Sequence, residues 1–382
     1  MRNRPHLVTG LLAALLLVAP ALPVGTSQAA AGAPAPDSYA PRTGALFNNP
    51  TGREVARRRL FRHIIRTVDS VPPRGTIRFA VYSFADKATA DALLRAHARG
   101  VSVKLIFSGK NVYKPMTRMR KALGSDPRAD SFAIFCEKSC RGSEGQMHAK
   151  FFQFSEAGGV PKITMVGSNN LTRHNAEDQW SDLYTVVRSR RVFRIHRKWF
   201  GQLRWDRPVK EPYVRRMAGR HLVQITPVAP DSLAKDPLYR ALSSIGCPGD
   251  REQKFRTRIR IATHAWNEDR GRALAHKVAK LKAAGCRIKV VYGVGVGPGV
   301  RMILEDAGVR MTNGTHRGVH THEKLLIVHG TVGGKPNRIR VWTGSHNWSD
   351  PAFQRDDLLL RINRKFVGRQ YVNAFEHMWV NG

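Results

Sequence analysis

Acidic residues are scarce in this sequence: 28 Asp and Glu stand against 64 Lys and Arg, a formal charge of +36. No group of carboxylates has the spacing of a cation site, so a bound metal is not called for and no cofactor is expected. Cysteine is also rare. Cys136, Cys140, Cys247 and Cys286 are the four, and neither close pair has the CxxC spacing of a zinc site. Long apolar runs are missing everywhere after about Val24, so the mature protein is expected to be soluble. Such a basic chain concentrates polyanions around itself, which makes nucleic acid, an anionic membrane surface or another phosphate-rich partner the natural company.

The N-terminus is the exception to the missing apolar runs. Arg2 and Arg4 precede a run from Leu7 to Val24, and Ala29, Ala30 and Ala31 follow it. Pro20 and Pro23 break the run, so it reads as a secretory signal peptide over 1–31 rather than an anchor. The protein is therefore expected to be secreted. Residues 32–42, rich in Ala and Pro, read as a flexible lead-in. Export makes disulfides possible. Of the three pairings, Cys136–Cys140 with Cys247–Cys286 would close one tight loop and staple the second half.

What the chain does have, it has twice. His148-Ala149-Lys150 begins an apolar run, followed by Gly167-Ser168-Asn169-Asn170. His322-Glu323-Lys324 begins another, followed by Gly344-Ser345-His346-Asn347. A two-residue step along a strand puts His and Lys on one face. The elements around the two copies recur in order. In the first half a helix over Thr51–Val71, a strand over Ile77–Phe84, a helix capped by Asp86, a strand over Val101–Phe107 and an irregular basic connection from Ser108 to Gly145 lead to the motif. That connection carries Tyr113, Lys114, Arg118 and Arg120 as candidate substrate contacts. In the second half a helix near Pro237–Ile245, strands over Arg258–Trp266 and Ile288–Tyr292 and an intervening helix do the same. Each half closes with a strand and a helix. The fold class is α/β: two tandem pseudo-symmetric α/β/α lobes, each a mixed β-sheet flanked by helices, over 43–207 and 208–382. Duplicated units pair about a pseudo-two-fold axis, which would bring both His-x-Lys strands to one pocket in a monomer, with no obligate protein partner.

The full string, doubled, resembles the phospholipase D superfamily, whose signature is His-x-Lys-x4-Asp followed by Gly-Ser-x-Asn. The resemblance covers nearly all of the mature chain. One departure is clear: seven residues after each His, where the family has Asp, stand Ser155 and His329. The resemblance implies a phosphodiesterase working through a phosphohistidine, with the first-half histidine, His148, as nucleophile and His322 as general acid/base.

The chemistry can be read without the name. Cleaving an anionic phosphodiester needs a nucleophile, an acid for the leaving alkoxide and positive donors on the other oxygens. Imidazoles serve for the first two. Lys150, Lys324, Asn170 and Asn347 serve for the third. Ser168, Ser345 and His346 are candidates to orient or bind substrate. Each imidazole is expected to have a carboxylate at its other nitrogen: Asp182 and Asp357, with Asp178 and Asp356 as competitors. His316, His320, His329 and His346 crowd the second copy, as a basic phosphate pocket in preference to a zinc site, and Trp342 and Trp348 are expected in the core. Two substrates compete. Phospholipid headgroups follow from the family and export, with Gly293–Val300 as the one candidate apolar loop at the mouth. DNA or RNA follows from the charge. A non-catalytic polyanion binder is a third reading, and the intact His, Lys and Asn of both copies argue against it.

Overall fold

The structure, a computed structural model, describes residues 39–228, 233–247, 256–313 and 318–381. The expected signal peptide, most of the lead-in and His316 lie outside the described residues. The first half runs β1 (Gly44–Phe47), α1 (Glu54–Arg57), α2 (Arg59–Asp69), β2 (Thr76–Val81), α3 (Lys87–Ala98), β3 (Ser102–Ser108), α4 (Lys114–Leu123), β4 (Phe132–Cys136), β5 (Lys150–Ala157), β6 (Val160–Gly167), α5 (Arg173–Glu177), β7 (Gln179–Trp180), β8 (Asp182–Val186) and α6 (Arg190–Leu203). The second runs β9 (Val214–Ala218), β10 (His221–Ile225), α7 (Pro237–Ser243), β11 (Ile245–Gly246), β12 (Arg258–Trp266), α8 (Glu268–Ala283), β13 (Arg287–Val296), α9 (Pro298–Asp306), β14 (Arg310–Thr312), β15 (His320–Thr321), β16 (Lys324–Val332), β17 (Lys335–Gly344), β18 (Leu358–Ile362) and α10 (Lys365–Asn381).

The duplication is plain in the sheets. The first has the order β1-β8-β6-β5-β2-β3-β4, the second β14-β13-β12-β16-β17-β18-β10-β9 with β11 on β16. Read from opposite ends, β8-β6-β5-β2-β3-β4 matches β18-β17-β16-β12-β13-β14. Both sheets are mixed: β2, β3 and β4 are parallel, as are β12, β13 and β14, and the motif strands β5 and β16 run antiparallel to β2 and β12. The strand β1 and the hairpin β9–β10 extend the two sheets and were not expected from the sequence.

Burial follows the alternation along the motif strands. Phe151 of β5 and Leu325 and Ile327 of β16 face a shared core between the lobes, together with Tyr184, Phe200, Tyr371 and Phe375. Phe152 and Phe154 face an outer core under α2, α3 and α4. Leu326 and Val328 face the equivalent core under α7, α8 and α9, which also holds Trp342 and Trp348. Asp86 caps α3 by accepting from Thr89 N at 2.8 Å. Both expected disulfides are formed, Cys136–Cys140 and Cys247–Cys286.

Three local expectations are corrected. The connection from Ser108 to Gly145 is not irregular throughout: it contains α4 and β4. Met116, Met119 and Leu123 form the buried stripe of α4, with cations filling its other faces, and Gly124 ends it in the left-handed region at φ 78°. Arg118 of that helix is paired with Asp91, and Arg120 lies over Phe135. The single helix over Thr51–Val71 is two, α1 and α2. Gly293–Val300 is not a loop, because β13 continues through Val296 and α9 begins at Pro298.

Candidate active site

The lobes meet by exchanging backbone hydrogen bonds at the two motifs. His148 N donates to Asp356 O at 3.1 Å, and His322 N donates to Trp180 O at 2.9 Å. Around these bonds β15 pairs with β7, and Met147 forms a bridge with Asp356. Each histidine thus sits at the entrance of its own strand while its backbone is tied to the opposite lobe. The motif side chains are brought together: Lys150 acts electrostatically on His322, Lys324 on Lys150, and His148 on His322.

Each lysine curls back on its own motif. Lys150 Nζ donates to His148 O at 2.7 Å, and Lys324 Nζ makes the same bond to His322 O. An ammonium has three donors, so two remain on each for an anion. Each histidine also packs on a ring from the neighbouring strand. Tyr82 lies 4.8 Å from His148 and His264 lies 4.7 Å from His322. These two rings occupy equivalent places, since Tyr82 N bonds Ala149 O and His264 N bonds Glu323 O. Neither was singled out in the sequence, although both stand two residues after matching Ile-Arg-x-Ala strings, Ile77–Ala80 and Ile259–Ala262. Arg355 was also missed. It acts on Tyr82, His148, Lys150 and Lys324, adding a further positive charge to the site.

The two histidines differ at Nδ1. That of His148 lies 2.8 Å from Asp357 Oδ1, across the lobe boundary. That of His322 lies 2.9 Å from Ser168 O, a backbone carbonyl. The expectation of a carboxylate behind each ring therefore holds for His148 and fails for His322. Asp182 does not reach His322. Its Oδ2 accepts from Thr343 Oγ1 and from Tyr371 OH, both at 2.6 Å, and its Oδ1 accepts from Ser168 N at 3.0 Å. Glu323 also bonds to it: burial, with Asp182 alongside, pushes the Glu323 carboxyl well above the usual range, so it keeps its proton.

Strand register explains the difference. Gly167 pairs with Leu183, and Gly344 with Leu359, so Asp182 corresponds to Leu358 and Ser181 corresponds to Asp357. The backbone bonds of the two histidines agree, since Trp180 and Asp356 are equivalent in them. The first lobe has Ser181 where the second has the carboxylate that holds His148.

Other expected site residues have different duties. Ser168 Oγ accepts from Asp182 N, and Ser345 Oγ accepts from Leu358 N, both at 3.0 Å. The two serines thus lock equivalent strand ends rather than face a substrate. The glycines before them are equally constrained: a Cβ on Gly167 or Gly344 would lie 2.1 Å from the carbonyl of Asp182 or Leu358. His346 is buried, with Nε2 taking a bond from Arg270, which is itself held by Asp236. Asn170 and Asn347 follow the ends of β6 and β17, and the Oδ1 of each is buried without a partner. Asp356 is buried beside Arg141 and Ser139, and Asp178 pairs with His174. Ser155, at a missing motif Asp, accepts from Thr76 N at 2.8 Å. His329 lies across the sheet from Arg258 and Ile339, and His320 bonds Gln179.

Electrostatics in the site are dominated by burial. Burial pushes the His148 imidazole down to about 3 despite Asp357, and Lys150 adds to the effect. Burial, then Lys324, His264 and Lys150, pushes His322 well below the usual range. Lys324 falls to about 7 through burial, with the carboxylates of Asp357 and Asp182 resisting, and burial carries Lys150 well down. Asp357, which burial alone would raise, is held at about 2 by His148, His346 and Lys150. Both motif lysines are short of solvent and of full counter-charge, which is what an anion entering the site would relieve.

Residues 72–205 and 253–379 each match the family described as cardiolipin synthase, PLD-like domain. The chain belongs to the phospholipase D superfamily. No curated protein sequence is similar to it. Solved structures share the PLD-like fold at low identity. The phosphatidylserine synthase of Haemophilus influenzae Rd KW20 is 13% identical with a TM-score of 0.53, over 88% of this chain and 86% of that one. The polyphosphate kinase of Porphyromonas gingivalis is 13% identical with a TM-score of 0.56 over 88% of this chain, which spans 50% of the kinase's length.

The asymmetry at Nδ1 is testable. Asp357→Asn is expected to lower phosphodiester turnover about 100-fold or more with the fold retained. Ser181→Ala, at the equivalent place, is expected to change it by less than about threefold. Equal losses in the two variants, read from steady-state kinetics, would contradict the assignment.

Proposed function

We propose that this chain is an exported phosphodiesterase in which His148 is the nucleophile, His322 the acid and base, and a phospholipid headgroup the leaving group. The observation that carries the reading is the bond from His148 to Asp357 across the lobes, set against the neutral partner of His322. Each Nδ1 is engaged, so each Nε2 is free to face a phosphate. Nε2 of His148 attacks phosphorus and the P–O bond to the headgroup breaks. The positive charge left on the imidazole is stabilised by Asp357. His322, with only a carbonyl behind it, is the stronger acid in its protonated form, and it donates from Nε2 to the departing oxygen. It then takes a proton from water, whose oxygen attacks phosphorus as the N–P bond breaks, freeing His148 and the phosphate product. Lys150, Lys324 and the amides of Asn170 and Asn347 serve the non-bridging oxygens.

The lipid reading is supported by exposed apolar residues flanking the site. Val112 and Tyr113 follow Asn111, whose side chain bonds the Tyr82 that packs on His148. Val294 follows Gly293, which backs onto His264 and Thr321 beside His322. The names of similar proteins, a cardiolipin synthase family and a phosphatidylserine synthase, point the same way. The charge of +36 favours nucleic acid as the second reading.

Purified mature protein with chelator is expected to release headgroup from phosphatidylcholine or phosphatidylglycerol vesicles. Cleavage of DNA with vesicles left intact would replace the first reading by the second. The pH dependence has a fixed sign. His148 stays neutral above its depressed pKa, whereas His322 must be protonated and Lys324 loses its charge as pH rises through about 7. The value of kcat/KM is expected to climb as pH falls from 8 to 5.5, and a rate that rises with pH over that window would contradict these roles.

A further inference from the structure

The two sheets carry the same cross-strand pair of cations. Arg78 of β2 pairs with Lys104 of β3, and Arg260 of β12 pairs with Lys289 of β13. In the second lobe α10 supplies their counter-charge: Glu376 accepts from Arg260 Nε at 2.6 Å and from Lys289 Nζ at 2.7 Å. In the first lobe α6 is the counterpart of α10. Its buried residues Val192, His196, Phe200 and Leu203 repeat at one constant offset as Val367, Tyr371, Phe375 and Met378. That offset places Gly201 where Glu376 stands. A Cβ on Gly201 would meet no atom within 4 Å, so a side chain has room to leave the helix there.

Cations surround that space. Arg197 precedes Gly201 by four residues and Arg204 follows it by three, so both share its helix face. Both act on Arg78, and Arg204 also acts on Lys104. Burial, with Arg197 and Arg204 close by, draws the Arg78 guanidinium down to about 10. Arg204 Nε is buried without a partner. Among the described residues none of the four cations forms an ion pair. The acid that acts on them is Asp130, exposed on the loop before β4, which affects Lys104 alone.

We propose that this space is an anion site for a phosphate group, held by Arg78, Lys104, Arg197 and Arg204 in place of the carboxylate that α10 contributes to the other lobe. A desolvated guanidinium among like charges is costly, and in the neighbour lobe one carboxylate pairs with both members of the same Arg–Lys pair. A phosphate brings more charge than a carboxylate and acceptor oxygens in several directions, which suits four cations better than two. The phosphate can come free from solution or on a lipid headgroup.

The test transplants the missing carboxylate. Gly201→Glu places it on the first lobe's helix, and Gly201→Gln is the uncharged control of the same size. Inorganic phosphate is titrated into the full mature chain by calorimetry, and vesicles with and without phosphatidic acid are compared by co-sedimentation. Gly201→Glu is expected to weaken phosphate or phosphatidate-vesicle binding at least tenfold relative to Gly201→Gln. The arm that responds identifies the source. Inhibition of bis(p-nitrophenyl) phosphate hydrolysis by phosphate, which reads the paired histidines, is expected to be the same in both variants. Equal binding of phosphate and of vesicles by the two variants would overturn the proposal.

Discussion

Two backbone hydrogen bonds, His148 N to Asp356 O and His322 N to Trp180 O, hold the structure to its purpose. Each takes the histidine two residues ahead of a motif strand and fixes it to the other lobe. The site therefore cannot form in one lobe alone, since the second lobe supplies Asp357 to His148 and the first supplies the Ser168 carbonyl to His322. The large shared core of Phe151, Tyr184, Leu325, Ile327 and Tyr371 gives those bonds a rigid setting.

A duplicated unit could have given a symmetric site, and the buried charges are arranged so that it is not. Asp357 stands at a position where the first lobe has Ser181. The other acid, Asp182, is occupied by Tyr371, Thr343, Ser168 and a protonated Glu323. Two imidazoles with different partners have different basicities once a phosphate brings charge into the site, and in the proposed mechanism this separates a nucleophile from an acid without any difference in residue type. The same divergence recurs away from the site, where Glu376 in one lobe has only Gly201 as its equivalent.

Much of this was legible in the sequence because it depends on local periodicity. His and Lys two apart at the head of an apolar run, repeated with Gly-Ser-x-Asn, located the motif strands, and the order of elements around them gave the paired lobes. The cysteines paired as their spacing suggested. Choosing the acid ten to twelve residues after each Asn misled, because the connections differ in length: Asp182 lies twelve residues after Asn170 and Asp357 ten after Asn347. Alternation along β8 and β18 would have aligned Ser181 with Asp357. The partners of Asp182 carry no local signal, since Thr343 and Tyr371 are far along the chain. The helix α4 was hidden by the cations between Met116, Met119 and Leu123.

The central claim is that the lobes present two chemically distinct imidazoles to one phosphorus, with His148 forming the covalent bond. The direct measurement is rapid acid-free denaturation during turnover of a phosphorus-labelled substrate, followed by peptide mapping of the labelled enzyme. Label on the peptide containing His148, lost in Asp357→Ala and accumulating in His322→Asn, is the expected result. Label on His322, or its absence while product forms, would contradict it.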